Sequence, residues 1–272
     1  MKLKDIFRLT KNHRKTGALT VYAATHNGSC HEENEDDYYI NGAVKAESVT
    51  RQLRMRAPAD LLAEICDGMG GEEKGGLASA LAVKHTAELH QKLKAACVES
   101  FTDEVNAYVS QVNNAICDEL CVHDGCRSGS TFAMVYIRDG VVHAYSLGDS
   151  RIYLYSDGEL KQVSQDHTLA MKKYQTGIYT LEEAQQSPDS HKLTLFLGVD
   201  TRKVGLNATV YPQFPWKQGM KLLLCSDGLY DMCTEQEIIS MLSEKSENCA
   251  VSLVRRAVSN GGMDNVTCIV IQ

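Results

Sequence analysis

STFAMVYIRDGVVHAYSLGDSRIYLYSDGELKQV, residues 130–163, is the stretch whose reading decides the fold. Residues 130–137, 141–147 and 151–156 are rich in β-branched and aromatic side chains with a period near two, the pattern of half-buried strands. Asp139-Gly140 and Asp157-Gly158 stand between pairing runs, and Asp-Gly accepts the positive φ angles of a two-residue hairpin turn. The neighbouring strands are therefore antiparallel.

Working outward, strand-like runs recur at 19–26, 36–42, 61–66, 221–226 and 266–272. Helical periodicity occupies separate blocks: Gly76 to Leu93, Asp103 to Val122, Thr234 to Leu242 and Cys249 to Val258. Thr234 followed by Glu237 is a capping-box signature. Strands in runs and helices in pairs predict an α+β fold, with two packed antiparallel sheets and a helix pair over each outer face.

The chain has 272 residues, 43% hydrophobic and 23% charged, a globular composition long enough for two small domains or one large one. No repeat, linker or composition break divides it, so one domain over 19–272 is expected. A basic extension precedes it at 1–18, where Lys2, Lys4, Arg8, Lys11, Arg14 and Lys15 face a single Asp5. The net charge of −7 disfavours nucleic acid as a partner. With no apolar span and no secretory core, the expected location is cytoplasmic. The ten cysteines lie in apolar or helical runs and read as reduced thiols. Cys121, His123 and Cys126 lack a second half-site for zinc.

Chemistry enters through carboxylates at the ends of buried-looking strands: Asp67 in LLAEICDGMGG, Asp149 in AYSLGDS, Asp227 in LLLCSDGL, Asp264 in GGMDNVTCIVI, and Asn34-Glu35-Asp36. The two hairpin Asp-Gly pairs serve as internal controls. Asp227-Gly228 is followed by a helical run and Asp67-Gly68 by MGGEEKGG, so neither reverses a strand into a partner; their glycines let backbone come close to something. Converging carboxylates need cations. Hard oxygen ligands without His or Cys suit Mg²⁺ or Mn²⁺, and two such ions would bridge a hydroxide and bind phosphoryl oxygens.

In order along 19–272, ENEDDYYI, LLAEICDGMGGEEKGGLAS, SGSTFAMVYI, AYSLGDSRIYLY, VSQDHTLA, LTLFLGVD, LLLCSDGLYD and GGMDNVTCIVI resemble the type 2C metal-dependent Ser/Thr protein phosphatases (the PPM family), in their compact bacterial form. The resemblance implies a four-layer αββα sandwich with a dinuclear Mn²⁺ or Mg²⁺ centre, and a third ion in bacterial relatives. It carries metal-ligand roles to Asp36, Asp67, the Gly68 carbonyl, Asp227 and Asp264, with Asp149 joining Asp227 at the third ion. Glu35 and Asn265 are implied to orient metal waters and ligands. The segment 170–192 resembles the family's flap beside the cleft. The implied activity is hydrolysis of phosphoserine and phosphothreonine in proteins by a metal-bound hydroxide, opposing a Ser/Thr kinase, in a monomer.

Two residues depart from the family pattern. His31 stands where an Arg commonly grips the substrate phosphate; imidazole cannot make a bidentate fork, so weaker phosphate binding or activity that improves on protonation is expected. Met69 stands where many eukaryotic members have a His proposed to protonate the leaving group, and Met has no proton to give. His167 and Arg151 read as structural partners. The alternative to the enzyme is a pseudophosphatase that uses the same fold to sense or bind a partner. A small-phosphoester or nucleotide hydrolase finds no GxxxxGK[ST] or GxGxxG loop to support it.

Overall fold

The computed structural model describes residues 19–45, 50–57, 60–70, 74–120, 128–199, 205–244 and 248–272. The basic extension and the Cys121, His123 and Cys126 group lie outside the described residues. In chain order the elements are β1 (Leu19–His26), β2 (Asp36–Ile40), β3 (Ala43–Val44), β4 (Thr50–Ala57), β5 (Leu61–Met69), α1 (Lys74–Ala95), α2 (Phe101–Leu120), β6 (Gly129–Ser130), β7 (Phe132–Arg138), β8 (Val141–Leu147), β9 (Arg151–Ser156) and β10 (Glu159–Gln162). They continue through α3 (Leu169–Gln175), α4 (Leu181–Gln186), β11 (Thr209–Pro215), β12 (Lys221–Cys225), α5 (Asp227–Tyr230), α6 (Glu235–Ser243), α7 (Cys249–Ser259) and β13 (Val266–Ile271).

Two antiparallel sheets form, in the orders β10-β9-β12-β13-β1-β4 and β11-β8-β7-β5-β2-β3, with β6 paired to β5. One apolar layer, including Val21, Ile65, Val135, Leu224 and Ile269, lies between the sheets. A second fills the space under α1 and α2 with Leu89, Val109, Phe132 and Tyr136. A third lies under α5 to α7 with Leu223, Leu229, Leu253 and Val270. Strands such as β13, buried along their whole length, are covered on both faces, which is why they read as continuous apolar runs. The layers are therefore the expected αββα sandwich.

The hairpin reading is met: Asp139 and Gly140 have φ of 51° and 76°, and Asp157 and Gly158 have 55° and 84°. Thr234 accepts from the Glu237 amide while Glu237 reaches back to the Thr234 amide. Besides the two-residue β3 and β6, two longer strands escaped the sequence pattern. β4, TRQLRMRA, and β11, TVYPQFP, are edge strands; β4 alternates only at Leu53, Met55 and Ala57 among three arginines, and β11 carries two prolines and no alternation, both tolerated at an edge. β11 also shifts register against β8 between Tyr211 and Phe214.

The segment 170–192 leaves the sheet as α3 and α4 and returns beside its own exit, where the Leu169 amide donates to the Lys192 carbonyl at 2.8 Å. Thr168 and Thr180 cap its helices. Asp189 binds Lys192 Nζ at 2.8 Å and also Lys173, closing the excursion on itself. No helix among the described residues is long and apolar enough to cross a membrane.

Candidate metal centre

The ladder of β2 and β5 sets Asp36 directly opposite Asp67. Asp67 was expected just past the end of its strand; instead β5 continues through Gly68 and Met69, because Asp67 pairs with Asp36 and Gly68 with Ser130 of β6. Asp149 follows β8, Asp227 follows β12 and Asp264 precedes β13. These chain positions all lie at one end of the sandwich, and the side chains feel one another. Burial, and then the charges of Asp36, Asp227, Asp149 and Asp264, hold the Asp67 carboxyl well above the usual carboxylate range. Asp227 is pushed up in the same way, by burial and by Asp149, Asp264, Asp231 and Asp36. Burial raises Asp149 to about 7.

Asp36 is fully buried, and burial raises it to about 6 against the opposing hydrogen bonds of Thr267 and Ser226. Ser226 Oγ donates to Asp36 Oδ2 at 2.7 Å and accepts the Thr267 amide at 3.0 Å, so one hydroxyl ties β12 and β13 to β2 across the two sheets. Asp36 Oδ1 is buried with no hydrogen-bond partner among the described residues. A buried carboxylate oxygen with nothing to bind is costly unless a cation completes it. The Asp67 backbone is held by Thr131, whose Oγ1 accepts the Asp67 amide at 3.0 Å and whose amide donates to the Asp67 carbonyl at 2.9 Å.

The glycines after Asp67 and Asp227 have the role their context implied, and the structure names what comes close. A Cβ on Gly68 would lie 2.1 Å from the Gly75 carbonyl oxygen in the first turn of α1, and one on Gly228 would lie 2.1 Å from the Asn265 carbonyl oxygen. Gly75 in turn leaves room for the Glu35 carboxylate, which accepts from the Gly75 and Gly76 amides. Asn265 Oδ1 accepts the Glu35 amide at 2.7 Å, while its Nδ2 donates to the carbonyls of Asn27 and Glu33 at 2.8 and 2.9 Å. Asn265 thus fixes the loop that delivers Glu35 and Asp36.

His31 sits on the rim, with Nε2 3.5 Å from Asp264 Oδ1 and the two side chains 47% and 53% exposed. His167 is structural: Nδ1 accepts the Gly148 amide at 3.0 Å, Nε2 pairs with Thr209 Oγ1 at 2.8 Å, and burial depresses its pKa. Arg151 is held bidentately by Asp166 and lies 3.5 Å over the Tyr230 ring.

Sequence reasoning missed Ser226, Thr131, Thr267 and Asp231. The first three are small hydroxyl residues whose role depends on what lies across the sheets. Asp231 had a signal: it follows Asp227 by four residues, the spacing that puts two side chains on one helical face. Atoms of Asp227, Asp231 and His191 lie within 4.8 Å of one another.

Comparison with known proteins adds a family. The protein phosphatase 2C family model matches residues 51–257. The serine/threonine phosphatase stp of Listeria monocytogenes (strain EGD-e) is 30% identical over 216 residues, which are 76% of this chain and 82% of that one. The crystal structure of the Mycobacterium tuberculosis serine/threonine phosphatase PstP superimposes with a TM-score of 0.75 at 27% identity, covering 93% of this chain and 98% of that one. A structure of the PstP catalytic domain in complex with two manganese ions gives 0.71 at 27% identity over the same shares.

Proposed function

From the premise that this chain belongs to the protein phosphatase 2C family, as a metal-dependent protein serine/threonine phosphatase, we propose how its residues divide the work. Asp36, Asp67, the Gly68 carbonyl, Asp227 and Asp264 hold two Mn²⁺ or Mg²⁺ ions, and Asp149 with Asp227 holds a third. The donor set fits such ions: it is all hard oxygen, it contains a buried oxygen with no partner among the described residues, and burial and neighbouring charges raise Asp67 and Asp227. Bound ions supply Lewis-acid stabilisation of the phosphoryl oxygens and a water acidic enough to act as nucleophile for in-line displacement.

The rest is the chain's own. Ser226 holds one Asp36 oxygen, and the other has no hydrogen-bond partner among the described residues and is left for an ion. Thr131 fixes the strand at Asp67, and Asn265 fixes the loop behind Glu35. His31 at the rim contacts the substrate phosphate as a single donor rather than a fork. The net charge of −7 leaves attraction of an anionic substrate to the ions. Substrates are phosphorylated proteins, made by an opposing Ser/Thr kinase, and the enzyme works as a cytoplasmic monomer whose catalytic domain is 19–272 and whose flap is 170–192.

The observation that carries this reading is the Asp36–Asp67 register pair, in which a buried Asp36 oxygen is left without a partner among the described residues. The test is hydrolysis of a phosphothreonine peptide and of para-nitrophenyl phosphate by chelator-stripped protein titrated with Mn²⁺ and Mg²⁺, beside Asp227→Asn. Activity that returns with metal and fails in Asp227→Asn supports the assignment. Folded protein that stays inactive at every metal concentration overturns it.

A further inference from the structure

Between the flap helices α3 and α4 and the sheet end lies a cavity of about 350 Å³, and neither the hydrolysis nor the metal ligands account for it. Its apolar wall is Met171, Leu181 and Ala184, and its polar wall is Gln162, Gln185 and Asp231. Arg151 and Asp166 also border it, but they neutralise each other. The guanidinium makes three contacts of 2.7 to 3.2 Å with that carboxylate, a fourth with Tyr153 Oη at 3.0 Å, and stacks on Tyr230.

The unbalanced charge left in the wall is Asp231. No donor among the described residues hydrogen-bonds its side chain; the ion pair with His191 Nδ1 is 3.7 Å long, and the His191 side chain is 60% exposed. A long side chain with an aliphatic stem and a cationic head matches both walls, stem on Met171, Leu181 and Ala184, head on Asp231 and the two amide oxygens. The site is also in reach of the chemistry, since Asp231 and His191 have atoms within 4.8 Å of Asp227, a distance of about one or two residues of extended peptide at roughly 3.3 Å each.

We propose that this cavity is a specificity site for an Arg or Lys flanking the phosphorylated residue, so that the enzyme prefers phosphoproteins with a basic neighbour. The inference rests on the phosphatase reading above and goes beyond it by naming the substrate context.

The test is a set of phosphothreonine peptides in which one Arg is walked through the three positions on either side, each beside its Gln counterpart. Turnover is measured with Mn²⁺-loaded protein and binding by fluorescence anisotropy. At one position Arg raises kcat/KM and affinity about tenfold over Gln, the effect of one charge-assisted contact kept from bulk water. Leu181→Arg and Gln185→Lys, both on the exposed flap, each place a cation in the cavity. They abolish the preference while para-nitrophenyl phosphate, too small to reach the cavity, is hydrolysed within twofold of wild type. A preference that persists in both variants, or Arg and Gln peptides that bind equally at every position, overturns the proposal. Wild-type protein that binds the Arg peptide better yet hydrolyses nothing sinks the phosphatase reading and leaves the cavity's role standing.

Discussion

Asp36→Asn should make the metal-free protein more stable while it makes the enzyme inactive. Burial raises Asp36 from 3.8 to about 6, so the folded state holds this proton more tightly than the unfolded chain does. The contribution is neutral below the unfolded pKa and becomes a penalty as pH rises through the window from 3.8 to about 6. At about 1.4 kcal/mol per pKa unit the penalty is about 3 kcal/mol at pH 8 and well under 1 kcal/mol at pH 4. Asparagine removes the charge and keeps the shape, and its Oδ1 accepts from Ser226. For a chain of this size the gain corresponds to about 5 °C in Tm at pH 8 and about 1 °C at pH 4. The assay is thermal unfolding in chelator at both pH values, repeated with saturating Mn²⁺. With Mn²⁺ at a thousandfold excess over Kd the order inverts, because wild type gains about 4.1 kcal/mol of binding free energy that the variant has lost, more than the penalty at pH 8. A variant that is less stable than wild type in chelator at pH 8, or a difference that does not grow with pH, would refute the electrostatic argument. A variant that Mn²⁺ stabilises as much as wild type would refute the assignment of Asp36 as a ligand.

Three further outcomes follow from the same geometry. Ser226→Ala removes the donor to Asp36 Oδ2 and the acceptor of the Thr267 amide; a loss of about 2 kcal/mol in denaturant unfolding is expected, with weaker Mn²⁺ binding by calorimetry, and unchanged Mn²⁺ affinity would show that the hydroxyl does not position the ligand. Gly228→Ala drives a methyl to 2.1 Å from the Asn265 carbonyl oxygen, so it should cost about 2 to 3 kcal/mol by overpacking and reduce activity through the Asn265 loop; wild-type stability would mean that the two segments move apart freely. His31→Arg should lower the Michaelis constant for para-nitrophenyl phosphate about fivefold by restoring a two-donor fork, within the worth of a charge-assisted hydrogen bond. An unchanged constant would show that His31 does not touch phosphate.

The sequence by itself determined the layers and most of the acidic set. Strands 141–147 and 151–156 and the turns at Asp139-Gly140 and Asp157-Gly158 were legible because local sterics fix a hairpin: two residues at positive φ between alternating runs admit one local answer. The carboxylates were legible because their motifs recur in order, and because the glycines after Asp67 and Asp227 had no turn to make. The edge strands β4 and β11 were not: three arginines obscure the short alternation of Leu53, Met55 and Ala57 in β4, and two prolines interrupt β11, both of which an edge tolerates.

Only the tertiary structure decided what completes the site. Ser226 and Asp36 are 190 residues apart, and Asn265 and Glu35 are 230 apart; nothing in the local pattern of either member announces the other. A serine before Asp227 reads as a helix cap, yet its side chain caps nothing there and turns to Asp36 instead. The same holds for Asp231, whose carboxylate becomes the unbalanced charge of a cavity only because α5 and the flap face each other across it. Periodicity and turn chemistry are local and survive in one dimension; hydrogen bonds across two sheets and the electrostatics of converging carboxylates depend on distances that exist only once the layers are stacked.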